Sequence, residues 1–237
     1  MQAASISERG GRQHNEDAVF CCADETEGCF VVADGLGGHG FGEVASRKAV
    51  ELSEEDYLKN GCRTEPQTLL LALHQTLQEM QQQRHLPHAM MTTAVIAQVS
   101  GSLLRYAYVG DSRLYVFRAG AVLFCTTDHS VPQMLAACGE ITADEIRGHP
   151  DRNRLLQAAG MADMALRPGY GTMELLPGDA LLLCSDGFWE PVDETVMLQA
   201  LENAAAPRQW LEQMQAHLTA QKLPEGDNYS AIGVWIS

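Results

Sequence analysis

The sequence has few basic residues for its length. Lys and Arg total 16 against 31 Asp and Glu, which gives a formal net charge of −15. Because nucleic acids and anionic membranes both attract basic surfaces, neither is an expected partner. No apolar run approaches the roughly 18 residues of a membrane span, and the polar segment from Met1 to Asp17 has no apolar signal core. These absences predict a soluble, cytoplasmic protein.

Paired cysteine motifs are also lacking. The seven cysteines are an odd number and form no Cys-x-x-Cys pair. Neither a zinc knuckle nor a closed disulfide framework is therefore indicated, and a reducing cytoplasm fits. Internal repeats, linkers and low-complexity tracts are absent as well. With 237 residues, 46% of them hydrophobic, the chain is predicted to form one domain over residues 1–237.

The hydrophobic pattern predicts more strands than helices. Alternating β-branched and aromatic residues predict strands at Gly28–Ala33, Gly171–Leu175, Ala180–Cys184 and Ser230–Ile236, and a four-stranded antiparallel meander across Thr92–Thr126. Helix-type spacing predicts helices at Glu43–Tyr57, Pro66–Arg84, Thr195–Asn203 and Pro207–Lys222. Because the strands cluster rather than alternate with helices, we expect an α+β fold. The expected architecture is a central antiparallel β-sandwich with helices on both sides, in four layers α-β-β-α.

Five short stretches place aspartate next to small residues at the ends of predicted strands. They are Asn15-Glu16-Asp17, Val32-Ala33-Asp34-Gly35, Val109-Gly110-Asp111-Ser112, Cys184-Ser185-Asp186-Gly187 and Glu225-Gly226-Asp227-Asn228. Two carboxylates brought to about 4 Å repel by roughly 4 kcal/mol at an effective dielectric near 20. No matching set of Lys and Arg accompanies these motifs, whereas Mg²⁺ or Mn²⁺ takes all-oxygen coordination. The pattern favours a dinuclear hydrolytic metal centre.

Taken singly, each motif also has an ordinary structural explanation. Asp34-Gly35 and Asp186-Gly187 could be plain turns, although two such strand ends make coincidence less expected. Asp111 is equally compatible with a turn and with a ligand. Arg12 could be a solvated arginine or, through its fork of donors, a phosphate-binding group.

Other phosphate and hydrolase motifs are absent. The glycine-rich run after Asp34 lacks the Gly-Lys-Ser/Thr ending of a P-loop. No cysteine begins the Cys-x5-Arg cradle of a cysteine-dependent phosphatase, and there is no Gly-x-Ser-x-Gly elbow of a serine hydrolase. A dinuclear hydrolytic metal centre therefore remains the leading interpretation.

The order of the motifs resembles one enzyme family. The motifs are Arg12-x-x-Asn15-Glu16-Asp17, Val32-Ala33-Asp34-Gly35-Leu36-Gly37-Gly38-His39, Gly42-x-x-Ala45-Ser46, Thr92-Thr93-Ala94, Val109-Gly110-Asp111-Ser112-Arg113, Asp128-His129-Ser130, Leu183-x-Ser185-Asp186-Gly187 and Asp227-Asn228. From about residue 8 onwards they follow the sequence of the metal-dependent serine/threonine protein phosphatases (PPM, type 2C), especially the compact bacterial branch. The resemblance implies hydrolysis of phosphoserine and phosphothreonine by direct attack of a water or hydroxide between two divalent metals.

The resemblance also implies two or three Mn²⁺ or Mg²⁺ ions and their ligands. Asp34 would bridge two ions, Asp186 and Asp227 would hold one of them, and the carbonyl of Gly35 with Asp17 or Glu16 would serve the other. Asp111, shared with Asp186, would hold a third ion. These assignments follow from the family's motifs and not from spacing alone.

Further roles are implied for residues around these ligands. Arg12 corresponds to the phosphate clamp and Asn228 to a residue that orients the ligands. In the eukaryotic pattern a histidine directly follows Asp-Gly and is the suggested general acid. Here Leu36 holds that place, and the candidate proton donor is His39.

The expected substrates are phosphorylated proteins. The segment at about residues 130–165 is predicted to be a variable flap that selects them, with Arg147, Arg152 and Arg154 available for acidic or phosphorylated peptides. A cognate serine/threonine kinase is the expected regulatory partner, and the protein is expected to be a monomer. Two alternatives are a metal-dependent hydrolase of small phosphate esters and a non-catalytic binding module of the same fold. The first would share the same ligands, and the second would have lost the carboxylates that are present here.

Overall fold

The computed structural model describes residues 1–37, 41–162, 164–221 and 226–237. The strands in these residues are β1 Gln2–Glu8, β2 Asp17–Ala23, β3 Glu27–Asp34, β4 Ala94–Ser100, β5 Leu103–Val109, β6 Arg113–Arg118, β7 Ala121–Cys125, β8 Gly169–Glu174, β9 Ala180–Cys184 and β10 Tyr229–Trp235. The helices are α1 Gly42–Asn60, α2 Pro66–Arg84, α3 Val131–Ala137, α4 Ala143–Ile146, α5 Asp186–Trp189, α6 Glu194–Glu202 and α7 Pro207–Ala220. No described helix is long and apolar enough to cross a membrane.

Two five-stranded antiparallel sheets form the centre of the molecule. Their strand orders are β1-β10-β9-β6-β7 and β2-β3-β4-β5-β8. We call them the β10 sheet and the β3 sheet. Their inner faces pack together through buried side chains such as Phe30, Val95, Leu114, Leu183 and Ile232. The predicted β-sandwich is confirmed.

Helices cover both outer faces. The α1 and α2 helices pack on the β3 sheet through a second buried cluster that includes Leu70, Leu73 and Leu77. The α6 and α7 helices pack on the β10 sheet around Trp210 and Met214. Because apolar residues recur at helical spacing on one face of each helix, the four layers can bury both sides of each sheet. The predicted α+β class and its four-layer order are confirmed.

The predicted four-stranded meander across Thr92–Thr126 is wrong in its pairing. All four strands exist, and the predicted turns at Ser100-Gly101 and Ala119-Gly120 join β4 to β5 and β6 to β7. However, β5 and β6 do not pair: β5 belongs to the β3 sheet and β6 to the β10 sheet. The chain crosses between the sheets at residues 110–112. Alternation along each strand shows that one face is buried, but it does not show which sheet the strand joins.

Two strands and three short helices are not predicted by the sequence pattern. The strands are β1 and β2, and the helices are α3, α4 and α5. In β1 only Ile6 is buried, because this strand lies at the edge of the β10 sheet, so its sequence shows little alternation. The predicted end of α7 at Lys222 lies outside the described residues, and α7 ends at Ala220.

Candidate metal centre

The five strand-end aspartates come from both sheets. Asp17 begins β2 and Asp34 ends β3, and the two are direct partners in the antiparallel register. Asp111 follows β5 in the crossover between the sheets. Asp186 follows β9, and Asp227 lies just before β10, which pairs with β9. Sheet register therefore brings residues that are distant in sequence to one end of the sandwich.

Most of these carboxylates face a single cavity of about 1010 Å³. Its lining includes the candidate ligands Glu16, Asp34, Gly35, Asp111, Asp186 and Asp227. Asp17 lies directly behind them and is 8% exposed. The same cavity is also lined by residues of the predicted flap, among them Arg154, Leu155 and Met161. Acidic side chains and residues of the predicted flap thus line the same cavity. We call the acidic part of this lining the acidic floor.

The carboxylates influence one another strongly. Burial raises the pKa of Asp34 well above its usual value, and the charges of Asp17, Asp186 and Asp111 raise it further. Burial likewise raises the pKa of Asp111, with the charge of Asp186 next in importance. Burial penalises the charged form and nearby negative charges add to that penalty, so these shifts indicate crowded carboxylates with little access to water.

Asp17 is held by the β9–α5 junction. The hydroxyl of Ser185 donates a hydrogen bond to Asp17 Oδ2 at 2.8 Å, and the same hydroxyl accepts one from the backbone N–H of Ser230 at 3.0 Å. Burial raises the pKa of Asp17 to about 7 despite this hydrogen bond. Burial disfavours the ionised form of this carboxyl unless a positive charge lies beside it, so a bound cation would stabilise it.

The available oxygens fit a hard divalent cation. Asp17 Oδ1 and Asp111 Oδ1 are buried and have no hydrogen-bond partner in the structure. Within the described residues, no three His, Cys, Asp or Glu side chains are arranged so that they alone could hold an ion. Several carboxylate oxygens instead accept local hydrogen bonds, as Asp186 Oδ1 does from the N–H of Gly187 at 2.6 Å. Mg²⁺ and Mn²⁺ favour oxygen donors, and Mg²⁺ usually keeps several waters beside one or two carboxylates, so this donor set fits such ions.

Glycines allow the loop after β3 to approach the candidate ligands. A Cβ on Gly35 would overlap the backbone of Gly42 and come within 2.7 Å of the carbonyl oxygen of Glu16, and one on Gly37 would overlap the Glu16 carboxylate. The N–H of Gly35 donates to the carbonyl of Glu16 at 3.1 Å, and the Ser46 hydroxyl donates to that same carbonyl at 2.5 Å. Close backbone packing of this kind requires the missing side chain.

Arg12 and Asn228 lie beside the acidic floor. Arg12 Nη2 donates to Asp227 Oδ2 at 2.8 Å at the rim of the cavity. The side-chain oxygen of Asn228 accepts from the N–H of Glu16 at 2.8 Å, and its amide nitrogen donates to the carbonyls of Arg9 and His14. Asn228 thereby holds both ends of the loop that carries Arg12.

The candidate proton donor His39 lies outside the described residues. Two other histidines, His14 and His88, line the cavity. The sequence singles out neither of them, because neither has a ligand-like spacing.

The three predicted substrate arginines differ in their surroundings. Arg147 is not available to a peptide, because it donates to the carboxylate of Glu194 at 3.0 and 3.1 Å and to two backbone carbonyls. Arg152 pairs with Glu190 at 3.1 Å. Arg154 lines the cavity, and its side chain has no ion-pair partner among the described residues.

Sequence reasoning misses residues that support the aspartates. Ser185 stands out in the sequence only as a neighbour of Asp186, and no motif marks Trp189. Asp128 forms a buried ion pair with Arg113 at 2.8 Å, and the following helix α3 is capped by Ser130 instead. A serine or tryptophan next to a ligand motif hints at a supporting role. The sequence does not reveal that role, because the partner of the side chain lies elsewhere in the chain.

Comparison with known proteins agrees with this geometry. A family model for protein phosphatase 2C matches residues 7–226. The serine/threonine phosphatase stp of Listeria monocytogenes serotype 4b (strain F2365) is 34% identical over 213 residues, covering 86% of this chain and 84% of that protein.

Two solved structures are also similar. Serine/threonine phosphatase Stp1 from Staphylococcus aureus superposes with a TM-score of 0.85 at 28% identity, covering 100% of this chain and 95% of that one. The catalytic domain of the protein phosphatase PstP, solved in complex with two manganese ions, gives a TM-score of 0.79 at 26% identity and covers 98% of this chain and 96% of its own. Divalent metal use is supported by this likeness and by the donor set described above. Since the family model covers nearly the whole chain, the protein belongs to the protein phosphatase 2C family, as the order of its motifs predicts.

Proposed function

We propose that this cavity hydrolyses phosphoserine and phosphothreonine side chains of proteins with the help of divalent metal ions. One observation carries the proposal: five acidic side chains, Glu16, Asp34, Asp111, Asp186 and Asp227, line one cavity in a chain of this family. An acidic cavity by itself would repel a phosphate dianion. Cations held by these residues would reverse that repulsion.

The proposed ligands divide by position. Asp34 would bridge two ions, with Asp186 and Asp227 on one side and the Gly35 carbonyl with Glu16 or Asp17 on the other. Asp111 and Asp186 would share a third ion. When bound, such ions lower the pKa of water and neutralise phosphoryl oxygens. Either Mn²⁺ or Mg²⁺ satisfies the oxygen donors.

Arg12 is proposed to bind the phosphate. Its guanidinium lies at the cavity rim and at present donates to Asp227. A guanidinium has enough donors to keep one bond to a carboxylate while the others bind phosphate oxygens. Asn228 would orient this group indirectly, because it fixes the backbone on both sides of Arg12.

The flap is proposed to contact the peptide around the phosphorylated residue. Leu155, Met161 and Met164 belong to this segment and line the same cavity as the carboxylates. Apolar side chains there offer surface to a peptide, while the acidic floor is reserved for cations and phosphate. We propose that residues 1–237 form one catalytic domain in which the segment at about residues 130–165 is this flap.

Hydrolysis of a phosphothreonine peptide tests the proposal. With Mn²⁺ present, Asp34→Asn and Asp186→Asn are each expected to lower kcat at least about 100-fold, because each removes a charge that stabilises the transition state. EDTA should abolish activity. The matched control is Asp193→Asn at the exposed N-cap of α6, which should retain full activity. Activity that survived EDTA would refute the proposal.

The biological setting is proposed on chemical grounds. A protein phosphatase reverses a serine/threonine kinase, so we propose such a kinase as its partner in bacterial signalling. All seven cysteines are free thiols, which suits the reducing cytoplasm. The net charge of −15 favours a monomer through mutual repulsion. Sedimentation would measure the oligomeric state, and cell fractionation the location.

A further inference from the structure

Trp189 connects two of the candidate metal-binding segments. It is the last residue of α5, the four-residue helix that begins at Asp186. Its indole N–H donates to the backbone carbonyl of Asp111 at 2.9 Å. Trp189 is 2% exposed and lines none of the cavities that contain the candidate ligands. The indole therefore links the β9–α5 junction to the crossover between the sheets without entering the site.

Two arginines fix the position of the indole ring. The guanidinium carbon of Arg113 lies 3.4 Å from the ring centroid, and that of Arg147 lies 5.2 Å from it. Such cation–π contacts strengthen when water is excluded. Arg113 is itself held by both carboxylate oxygens of Asp128, at 2.9 and 2.8 Å, and it donates to the hydroxyl of Tyr115.

Arg147 brings the flap into the same network. It follows α4 and donates to both carboxylate oxygens of Glu194 and to the backbone carbonyls of Glu190 and Val192. The Tyr115 hydroxyl also donates to Glu194, at 3.0 Å, so the contacts around the indole form a closed ring. Every side chain in this ring lies outside the set of candidate ligands.

We propose that Trp189 and Arg147 are positioning residues that set the separation of Asp111 and Asp186, and that they couple the flap to divalent-cation binding at that pair. Asp111 and Asp186 reach the cavity from different segments, the first from the crossover between the sheets and the second from the start of α5. The indole N–H fixes the backbone of Asp111. The single turn of α5 fixes Asp186 relative to the indole. The inference rests on the proposed function, because it presumes that these carboxylates hold a cation.

Removing the indole N–H has a defined consequence. The carbonyl of Asp111 would lose its donor in a buried position, and the loop would relax towards another donor. Net loss of one such hydrogen bond corresponds to roughly a three- to tenfold change in an equilibrium constant. The proposal predicts that loss of this hydrogen bond weakens cation binding as well as lowering folding stability.

Trp189→Phe is the direct test, and Trp210→Phe is its matched control. Trp210 is also fully buried, and its indole N–H donates to the carbonyl of Met197 at 2.9 Å, but it lies on α7 and packs against α6 and the β10 sheet. Both variants should lower the melting temperature of the metal-free protein. Only Trp189→Phe should also weaken Mn²⁺ binding. In calorimetry, the Kd of the most weakly bound Mn²⁺ should rise by roughly three- to tenfold.

Arg147→Ala provides a second, independent variant. It leaves the indole N–H in place and removes the contact with the flap, so a rise in the Mn²⁺ Kd is expected here too. Arg208→Ala is the control, because Arg208 forms an ion pair with Glu212 on α7, away from the cavity. Arg147→Lys keeps the charge but loses the fork that binds Glu194, and should fall between Arg147→Ala and wild type.

The outcomes separate the two proposals. If wild-type protein bound no Mn²⁺ and hydrolysed no phosphopeptide, the proposed function itself would fail. If wild type bound Mn²⁺ and Trp189→Phe matched Trp210→Phe in affinity, the positioning role would be overturned. Should Trp189→Phe not fold, an unchanged Mn²⁺ Kd in Arg147→Ala would overturn it in the same way.

Discussion

At the residue scale, the unusual feature is that several carboxylates lie close together where little water reaches them. Burial raises the pKa of Asp34 well above its usual value, and the charges of Asp17, Asp186 and Asp111 add to that effect. Two of the buried oxygens lack any hydrogen-bond partner in the structure. Because such an arrangement costs free energy in the metal-free protein, the site is strained until a cation neutralises it.

This strain predicts a pH-dependent effect of Mn²⁺ on stability. The pKa of Asp17 is raised to about 7 in the folded protein, against about 3.9 for an unfolded aspartate. Between these values the folded state binds more protons than the unfolded state, so the stability contributed by this group falls as the pH rises towards 7. Mn²⁺ holds the carboxylates ionised and removes that penalty. The increase in melting temperature caused by Mn²⁺ should therefore be larger at pH 7.5 than at pH 5.5.

Thermal unfolding in EDTA and in Mn²⁺ at the two pH values provides the measurement. In Asp17→Asn the Mn²⁺-induced increases in melting temperature at the two pH values should differ less, because asparagine does not titrate. Equal Mn²⁺-induced increases at both pH values would contradict the prediction.

At the element scale, the crossover between β5 and β6 decides where Asp111 lies. Gly110 begins this crossover with a φ of +92°, in the region that favours glycine. A Cβ at this position would come within 2.6 Å of the Thr93 side chain. Thr93 in turn shares a hydrogen bond of 2.7 Å with Ser112, the residue after Asp111. The turn therefore packs against the start of β4, and this contact holds the segment that carries Asp111.

Gly110→Ala is expected to destabilise the protein and displace Asp111. Gly101→Ala is the matched control, because Gly101 also has a positive φ, of +60°, but a Cβ added there would meet no atom within 4 Å. Backbone strain should cost about 1 kcal/mol in both variants. The steric overlap should add a further loss of about 1–3 kcal/mol in Gly110→Ala alone. Urea unfolding measures both, and equal losses would show that the contact with Thr93 is unimportant.

At the scale of the whole molecule, charge is distributed unevenly. The chain carries a net charge of −15, yet Arg12 and Arg154 line the cavity and Arg9 and Arg152 line the adjoining groove. Part of the negative charge lies on the candidate ligands, where bound cations would cancel it. The cavity then becomes a locally positive site on an acidic protein, and it should attract acidic peptides.

Arg154→Ala should therefore raise KM for a phosphopeptide with acidic residues beside the phosphothreonine. A several-fold increase is expected at low ionic strength, and a smaller one near 0.5 M salt, because salt screens exposed charges. A peptide with neutral flanking residues should respond less. Arg208→Ala, which alters α7 on the outer face of the β10 sheet, should leave KM unchanged for both peptides. An equal rise in KM for the acidic and neutral peptides would indicate a structural effect of Arg154 instead.

The sequence by itself determined the type of fold, the family and the enzyme class, and these predictions are confirmed. Local patterns were sufficient for this: strand ends marked by Asp-Gly, the amphipathic α2, and the hairpin turns at Gly101 and Gly120. Only the tertiary structure decided that β5 and β6 join different sheets, that Arg147 binds Glu194, and that Trp189 holds the Asp111 loop. Those contacts join residues far apart in sequence, such as Ser185 and Asp17, which are separated by 168 positions. They depend on sheet register and packing, and no local pattern of residue types encodes them.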